Sequence, residues 1–375
     1  MHNQRPSRIV RVARRLPPMP GGKEIHVAEL TKIQCQRGSQ ILLVYEMGDA
    51  TIPGCASFRV LLPRFLPTRG FLGELLWSCF AIRTVKHQLD NSDLLHIHGD
   101  IGNLPIPLAL RAKPVLLTLH GSINLRYKWL YRLLIRIVTY ALCIGDETQR
   151  QLLSCGVEPE KLQPTSSGIR SQVFDTHAPD PAPISNRDLK IISVGTLSTQ
   201  KNHALIIDAA GEMMSTIPCR VKVIGSGPTK KELIEHALRR NVKLELVEAA
   251  SAEEVAQALR ESNVFVLPSK RFRSMGEGLS TALLEALAVG VPCCVSTEAL
   301  PTSAIIGSEC YISFNPSSST DLANGLREVS QGGVRIRSMV LAGSEAARER
   351  SWDAVTSEVE DAMMRVMSRV STDHR

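Results

Sequence analysis

Two carboxylates eight residues apart are the clearest candidates for chemistry in this sequence. Glu277 and Glu285 lie between the apolar run 264–267 and Gly290, which ends a stretch of regularly spaced leucines. The run predicts a short buried strand, and the leucines predict a helix that begins at about Ser280. On such a helix the two carboxylates would lie on one side, about 12 Å apart along the axis. That distance suits the two ends of one ligand.

A phosphate is the group that the start of this helix would favour. In an open α/β sheet such a helix start lies beyond the carboxyl end of the preceding strand and presents free amides and a positive dipole end. The loop before the helix adds three cations. The predicted phosphate contacts are therefore Gly278, Leu279, Ser280, Lys270, Arg271 and Arg273.

Further candidates lie at the ends of other apolar runs. His98 and His120 each end such a run, and Lys201 follows another after a short loop. Because parallel strands of one sheet end at the same edge, residues in these positions come together in a crevice. Glycines in equivalent positions let the backbone approach a ligand closely, and they are Gly21, Gly22 and Gly225.

Apolar runs that alternate with helical stretches predict an α/β fold with two doubly wound, Rossmann-like parallel sheets. A length of 375 residues exceeds the size at which one hydrophobic core usually stops growing, so two domains are expected. A proline-rich stretch without apolar periodicity separates them. The predicted segments are an N-terminal domain at 1–178, a linker at 179–188, a C-terminal domain at 189–350 and a last helix at 351–375.

The segment from Glu277 to Glu285, with Gly290 and Pro292 after it, resembles the nucleotide-sugar signature of family-4 retaining glycosyltransferases of the group-1 type. The resemblance extends in order over nearly the whole chain. It implies the GT-B fold, in which two domains face a central cleft and the last helix crosses back to the first domain. It also implies transfer of a hexose-type sugar from a nucleoside diphosphate sugar to an acceptor hydroxyl, with retention of anomeric configuration. The expected setting is the synthesis of bacterial cell-surface polysaccharide or lipopolysaccharide.

The same resemblance implies roles for individual residues. Glu277 and His120 become the catalytic residues beside the transferred sugar. Glu285 holds the ribose of the donor, and Lys201 binds the donor diphosphate.

The remaining donor contacts depart in part from the family's pattern. The turn at Gly21 and Gly22 would lie near the phosphates or the acceptor, and Gly225 would lie near the base. Thr196 stands where the family has an arginine that helps to bind the diphosphate. The cations of the loop before the predicted helix are therefore expected to supply the missing positive charge.

No Asp-x-Asp pair occurs in the sequence, and enzymes that hold a diphosphate through a metal need such carboxylates. We therefore predict turnover without a metal or another cofactor, with the nucleotide sugar as co-substrate. Two alternatives stay open, a nucleotide-sugar epimerase on the same fold and a degenerate member that binds a ligand without catalysis. Only the departures at Thr196, Ser167 and Arg170 favour the degenerate member.

The net charge of +7 is unevenly distributed. Residues 1–178 carry 22 Lys and Arg against 13 Asp and Glu, whereas the remainder carries 22 against 24. Such an excess favours an anionic partner, and we expect a glycan or lipid-linked acceptor at an anionic membrane surface. A basic amphipathic helix predicted at 126–141 fits either a solvated face or a membrane contact. Basic and aromatic residues interleave in this one helix alone, so no nucleic acid is expected.

Cysteine usage and the N-terminus indicate the compartment. The nine cysteines include no Cys-x-x-Cys pair, and the basic N-terminus has no apolar core after it of the kind that a secretory signal needs. We therefore predict a cytoplasmic protein, peripheral at the inner face of the cytoplasmic membrane.

Overall fold

The computed structural model describes residues 7–19, 21–110, 113–121, 123–174, 188–248, 250–271, 279–301, 303 and 305–373. The chain forms two compact units. The first comprises Met1–Gly168 together with Trp352–Arg375, and the second comprises Ile169–Ser351. The first unit thus ends before the predicted bound at residue 178, because Ile169 pairs with Ser351 within the second unit. The predicted linker lies outside the described residues, except for Asp188.

The first unit is built on a sheet of seven parallel strands in the order β3-β2-β1-β4-β5-β6-β7. Its central strands β1, β4, β5 and β6 are buried along nearly their whole length, because helices cover both faces of the sheet. The strands are β1 (Arg8–Val12), β2 (Gln40–Tyr45), β3 (Cys55–Arg59), β4 (Leu94–Gly99), β5 (Val115–His120), β6 (Tyr140–Ile144) and β7 (Leu162–Thr165).

Helices pack on the two faces of this sheet. The helices of the first unit are α1 (Gly22–Gln36), α2 (Gly70–Leu89), α3 (Pro105–Ala109), α4 (Lys128–Ile137) and α5 (Asp146–Ser154). In β1, Val10 and Val12 face a buried cluster that contains Trp77 of α2, whereas Ile9 faces a cluster that contains Leu30 of α1. The basic helix α4 is shorter than the predicted span 126–141, because the buried β6 already begins at Tyr140.

The last helix of the chain packs in the first unit. It is numbered α13 (Trp352–Asp373), after the helices of the second unit that follow. Arg37, at the end of α1, donates to Asp353 and to Glu360, both at 3.0 Å. Met363 and Val366 of this helix are buried in the same cluster as Ile9 and Leu30. A return of the last helix to the first domain is what the family resemblance implies.

The second unit is built on a sheet of six parallel strands in the order β10-β9-β8-β11-β12-β13. The strands are β8 (Leu189–Val194), β9 (Cys219–Ile224), β10 (Lys243–Val247), β11 (Val264–Leu267), β12 (Cys293–Ser296) and β13 (Ile312–Phe314). The two sheets confirm the predicted pair of doubly wound parallel-sheet domains.

Both faces of the second sheet are covered as well. Successive residues Ile191 and Ile192 of β8 belong to two different buried clusters, one on each face. Among the residues that the structure describes, no helix is both long and apolar enough to cross a membrane. The helices of the second unit are α6 (Ser171–Phe174), α7 (Ala204–Met213), α8 (Lys230–Arg239), α9 (Ala252–Arg260), α10 (Thr281–Val289), α11 (Ser319–Gln331) and α12 (Val334–Arg348).

Candidate active site

Three loops meet at the carboxyl edge of the second sheet. They follow β8, β9 and β11, three strands that are neighbours in the sheet order. The amide of Leu197 donates to the carbonyl of Ser226 at 2.9 Å, which ties the first loop to the second. The amide of Lys270 donates to the carbonyl of Gln200 at 2.8 Å, which ties the third loop to the first. The side-chain amide of Asn202 donates to the carbonyl of Pro268 at 3.2 Å.

The first two loops approach each other at a distance that only glycine allows. Gly225 and Gly227 have φ values of +150° and +157°. A β-carbon on Gly225 would lie 2.0 Å from the carbonyl oxygen of Gly195, and one on Gly227 would lie 2.2 Å from that of Leu197. The Gly-x-Gly sequence therefore fixes the packing of the two loops.

Lys201 lies across the first of these loops. Its Cδ and Cε atoms are 3.4 Å from the position that a β-carbon of Gly195 would take. Its backbone amide donates to the carbonyl of Ser198 at 3.1 Å, which tightens the turn that carries the side chain. The Lys201 side chain is half-buried. The ammonium group is therefore held close to the backbone turn at the end of β8.

The third loop is anchored at its described end. The amide of Arg271 donates to a carboxylate oxygen of Glu298 at 2.5 Å. Lys270 is half-buried and Arg271 is exposed. The chain is described again from Leu279, which is buried like Ser280.

Helix α10 begins where the leucine pattern predicts it. Ser280 is its N-cap residue, and no side-chain hydrogen bond caps this end among the described residues. Such a helix start can bind an anion through its backbone. Glu285 follows on the same helix and is half-buried. Burial raises the pKa of Glu285 to about 7, and the positive charge of Arg170 opposes that rise.

Three histidines gather at the carboxyl edge of the first sheet. His98 is the penultimate residue of β4 and His120 is the last residue of β5. The Nδ1 atom of His98 lies 3.1 Å from the Nε2 atom of His120. His26 of α1 completes the group, with its ring centroid 4.9 Å from that of His120. The hydroxyl of Ser167 lies 3.2 Å from Nδ1 of His26.

The histidine group is buried beside a guanidinium. Arg11 of β1 is fully buried, and it donates to the hydroxyl of Thr31 at 2.6 Å. Burial, reinforced by the charge of Arg11, lowers the pKa of His26 to about 3. Burial also holds the pKa values of His98 and His120 well below the ordinary value. The three imidazoles are therefore neutral at neutral pH.

The start of α1 is occupied by a side chain of its own first turn. A β-carbon on Gly21 would lie 2.1 Å from a carboxylate oxygen of Glu24. This carboxylate pairs with Arg15 at 3.2 Å and is nearly fully buried. Its negative charge opposes a phosphate at this helix start. A donor contact at Gly21 and Gly22 stays a prediction.

Two family models cover nearly the whole chain. The Glycosyltransferase Family 4 model matches residues 20–172, and the Glycosyl transferases group 1 model matches residues 176–348. The chain belongs to the family-4, group-1 glycosyltransferases. The curated relatives of this group-1 glycosyltransferase include the UDP-Gal:alpha-D-GlcNAc-diphosphoundecaprenol alpha-1,3-galactosyltransferase of Escherichia coli, with 29% identity over 251 residues. That match covers 59% of this chain and 60% of the length of the relative.

Solved structures share the fold of this chain. HepE from Anabaena, solved in complex with UDP, superposes with a TM-score of 0.74 at 15% identity, over 95% of this chain and 99% of that one. WaaG, a glycosyltransferase involved in lipopolysaccharide biosynthesis, superposes with a TM-score of 0.73 at 12% identity, over 95% and 99% of the two chains. The predicted GT-B fold is thereby confirmed.

The predicted site residues of this group-1 glycosyltransferase fall into three sets. The second unit holds most of the predicted donor contacts at one sheet edge or on the helix after β11, namely Lys201, Gly225, Lys270, Arg271, Leu279, Ser280 and Glu285. The first unit holds Gly21, Gly22 and His120. Arg273, Glu277 and Gly278 lie outside the described residues, so their predicted roles stay predictions.

Two residues at the histidine group have no signal in the sequence. His26 occupies an inward position of α1 next to the buried Val27, as an ordinary core histidine would. Ser167 is one of the departures from the family's pattern, and the structure places it against His26. Only the tertiary structure relates these two residues, which are far apart in the chain.

Proposed function

We propose that this chain is a retaining glycosyltransferase that moves a hexose-type sugar from a nucleoside diphosphate sugar to an acceptor hydroxyl. The observation that carries the proposal is the meeting of the loops after β8, β9 and β11 beside a helix start that no side chain among the described residues caps. This edge combines backbone amides with cations, which is what a diphosphate requires.

The diphosphate would be bound mainly by positive charge. As the bond to the sugar breaks, the leaving diphosphate gains negative charge, and groups fixed in advance around it lower the barrier. Lys201 is held over the turn at Gly195, and Lys270 lies in the loop that is hydrogen-bonded to the Lys201 loop. These two lysines would compensate for Thr196, which replaces the family's arginine.

The nucleoside would be held by Glu285. A carboxylate accepts hydrogen bonds from both hydroxyls of a ribose, and only its ionised form accepts through both oxygens. Burial raises the pKa of Glu285, whereas Arg170 favours the ionised form. Arg170 would thus keep Glu285 able to bind the ribose at neutral pH.

The transferred sugar would contact His120. Positive charge develops on the sugar when the diphosphate departs, and a protonated histidine nearby would oppose it. Burial lowers the pKa of His120, so its imidazole is neutral and does not oppose this charge. His98 lies within hydrogen-bonding distance and would orient the His120 ring. Glu277 would balance the positive charge on the sugar.

The acceptor would be a glycan or a lipid-linked glycan at the inner face of the cytoplasmic membrane. The name of the relative from Escherichia coli specifies an acceptor on diphosphoundecaprenol, which supports a lipid-linked acceptor here. WaaG supports a role in bacterial polysaccharide or lipopolysaccharide synthesis. The sugar would be transferred without a metal ion.

An exposed surface of the first unit supports the membrane position. The rings of Phe71 and Tyr127 stack at 5.5 Å, which joins the first turn of α2 to the residue before α4. Phe65 is 86% exposed and Trp129 is 67% exposed. We call this surface the aromatic–basic patch, and it consists of Arg64, Phe65, Arg69, Phe71, Tyr127, Lys128 and Trp129.

Aromatic rings beside basic side chains match the chemistry of an anionic bilayer surface. The rings can enter the headgroup region, and each cation near an anionic surface adds about 1 kcal/mol of attraction. This arrangement favours membrane contact over a solvated face for the basic helix α4.

The proposed function can be tested by a screen of nucleoside diphosphate sugars, read as release of the nucleoside diphosphate. The purified chain is assayed with and without a membrane extract as the source of acceptor, in excess chelator. We expect release of the nucleoside diphosphate that depends on the extract and persists in chelator.

Conversion of the donor in the absence of any acceptor would identify an epimerase instead. Calorimetry without binding of any nucleoside diphosphate would identify a non-catalytic member. Loss of release that Mn²⁺ or Mg²⁺ restores would refute the metal-independent mechanism.

A further inference from the structure

The histidine group of the first unit has the composition and spacing of a metal-binding site. One nitrogen from each of His26, His98 and His120 can be chosen so that all three lie within 4.8 Å of one another. The shortest separation is 3.1 Å, between His98 and His120. Two nitrogens bound to one tetrahedral zinc ion, each at about 2.0 Å, lie roughly 3.3 Å apart. The nitrogens of His98 and His120 are thus already close to this spacing, whereas wider separations within the group would have to shorten when an ion binds.

One candidate ligand nitrogen of the group has no partner among the residues that the structure describes. It is the Nε2 atom of His26, which is buried and makes no hydrogen bond to them. A buried polar atom without a partner costs free energy, and a bound cation would satisfy it.

Ser167 would set the tautomer of His26. Its hydroxyl lies 3.2 Å from Nδ1 of His26, so it can accept the proton that Nδ1 carries. The lone pair of His26 is then on Nε2, the atom that lacks a partner. A second group that orients a histidine in this way is the usual accompaniment of a metal ligand.

The surrounding charges are mixed. A cavity of about 120 Å³ reaches His120 and is lined by Lys23, Glu74 and Asp100. The two carboxyl groups attract a cation, whereas Lys23 and the buried Arg11 repel it. Arg11 is separated from the group by His96, whose Nδ1 atom is 3.4 Å from the guanidinium. We therefore expect micromolar affinity rather than that of a structural zinc site.

We propose that His26, His98 and His120 form a binding site for a borderline transition-metal cation, with Zn²⁺ as the best fit. Imidazole ligands suit Zn²⁺, whereas Mg²⁺ prefers oxygen ligands and binds poorly to such a group. A cation bound at His120 would place positive charge beside the sugar, where positive charge already develops as the diphosphate departs. Zn²⁺ is therefore an inhibitor of transfer, and this second part rests on the proposed function.

The test is a calorimetric titration of the full chain, without a histidine tag, with ZnCl₂ and with MgCl₂. We expect one Zn²⁺ per chain and no heat from Mg²⁺. His26→Ala and His98→Ala should each weaken Zn²⁺ binding at least about tenfold, since each removes a ligand. His87→Ala, which changes an exposed histidine of α2, should leave the affinity unchanged. Equal affinities in wild type and His26→Ala would overturn the site.

Two further measurements keep the site testable if a histidine variant does not fold. Ser167→Ala keeps all three ligands and removes the group that orients His26, so Zn²⁺ binding should weaken by about tenfold even if a histidine variant fails to fold. An unchanged affinity would contradict the assigned tautomer. Co²⁺ in place of Zn²⁺ should give the visible spectrum of a tetrahedral site without thiolate absorption. A thiolate band would show that a cysteine binds the ion and would contradict the three-histidine site. Zn²⁺ binding in a chain that shows no transfer would refute the proposed function and leave this site intact.

Discussion

The Nδ1 atom of His98 lies 3.1 Å from the Nε2 atom of His120. Each histidine lies at the carboxyl end of its own strand, and the two strands are neighbours, with His98 opposite Thr118 in the register. The His98 ring can therefore orient the His120 ring through this contact. Burial lowers the pKa of both histidines and keeps both imidazoles neutral. This pair links the geometry of the sheet edge to the proposed contact with the sugar.

His120→Ala should lower kcat by about a hundredfold or more with little change in the donor KM, because the lost contact acts on the developing charge. His98→Ala should lower kcat less, since His98 acts through His120. His98→Asn keeps a hydrogen-bonding nitrogen near the place of Nδ1 and should recover part of the loss. Steady-state kinetics with circular dichroism as the folding control measures this. Wild-type kcat in His120→Ala would refute the catalytic role.

The binding of a nucleoside diphosphate should strengthen as the pH rises through about 7, where Glu285 ionises. The ionised carboxylate is the form that accepts from the ribose, so wild-type affinity should be weaker at about pH 6 than at about pH 8. Glu285→Gln should be weaker throughout and retain only the pH dependence of the ligand itself. Calorimetry at several pH values checks this, and identical pH dependence in both proteins would contradict the ribose contact.

The same pKa shift affects the stability of the free chain. Burial raises the pKa of Glu285, so its contribution favours folding below its unfolded pKa and is lost as the pH rises through about 7. Glu285→Gln should therefore reduce the loss of unfolding free energy between about pH 5 and about pH 8. Urea denaturation at both pH values measures the difference, and an unchanged pH dependence would show that Glu285 is well solvated.

Lys201→Ala should lower kcat/KM by roughly a hundredfold, because it removes the cation held at the turn of Gly195. Lys201→Arg keeps the charge and should recover part of the activity. Lys231→Ala provides the matched control, since its side chain is 90% exposed on α8. Kinetics that are equal in the two alanine variants would exclude Lys201 from the diphosphate site.

Gly225→Ala should destabilise the chain by about 2 kcal/mol or more, because the new methyl group would meet the carbonyl oxygen of Gly195. The loops after β8 and β9 would move apart, so the donor KM should rise as well. Gly38→Ala is the control, with a φ of +93° but no atom within 4 Å of a new β-carbon, and should cost about 1 kcal/mol. Equal losses of unfolding free energy would show that backbone strain alone accounts for the effect.

Replacement of both Phe65 and Trp129 by serine should weaken binding to vesicles of mixed neutral and anionic lipid, because the two rings are the most exposed of the aromatic–basic patch. Phe80→Ser is the matched control, an exposed aromatic residue of α2 outside the patch. Sedimentation with vesicles at low and high salt measures the partition. Equal partition of wild type into neutral and anionic vesicles would contradict the membrane position.

Much of the fold follows from short-range patterns. Apolar runs such as Ile191 to Val194 are long enough for buried strands, and the glycine and proline that follow the leucines of α10 end that helix where predicted. The predicted end of the basic helix, at residue 141, is wrong. The apolar residues of α4 continue into the buried β6 without a turn signal between them, so the sequence does not mark where the helix stops. The first unit ends earlier than predicted because the pairing of Ile169 with Ser351 joins distant segments.

The sequence by itself determined the two doubly wound domains, the helix start at Ser280 and the order of the candidate residues, because strand and helix periods and glycine positions are local properties. Only the tertiary structure decided which side chains meet. It placed His26 and Ser167 beside the histidines of β4 and β5, Glu24 over the turn at Gly21, and Gly225 against the carbonyl of Gly195. These contacts join residues far apart in the chain, and burial among them sets the charge state of the histidines and the pKa of Glu285.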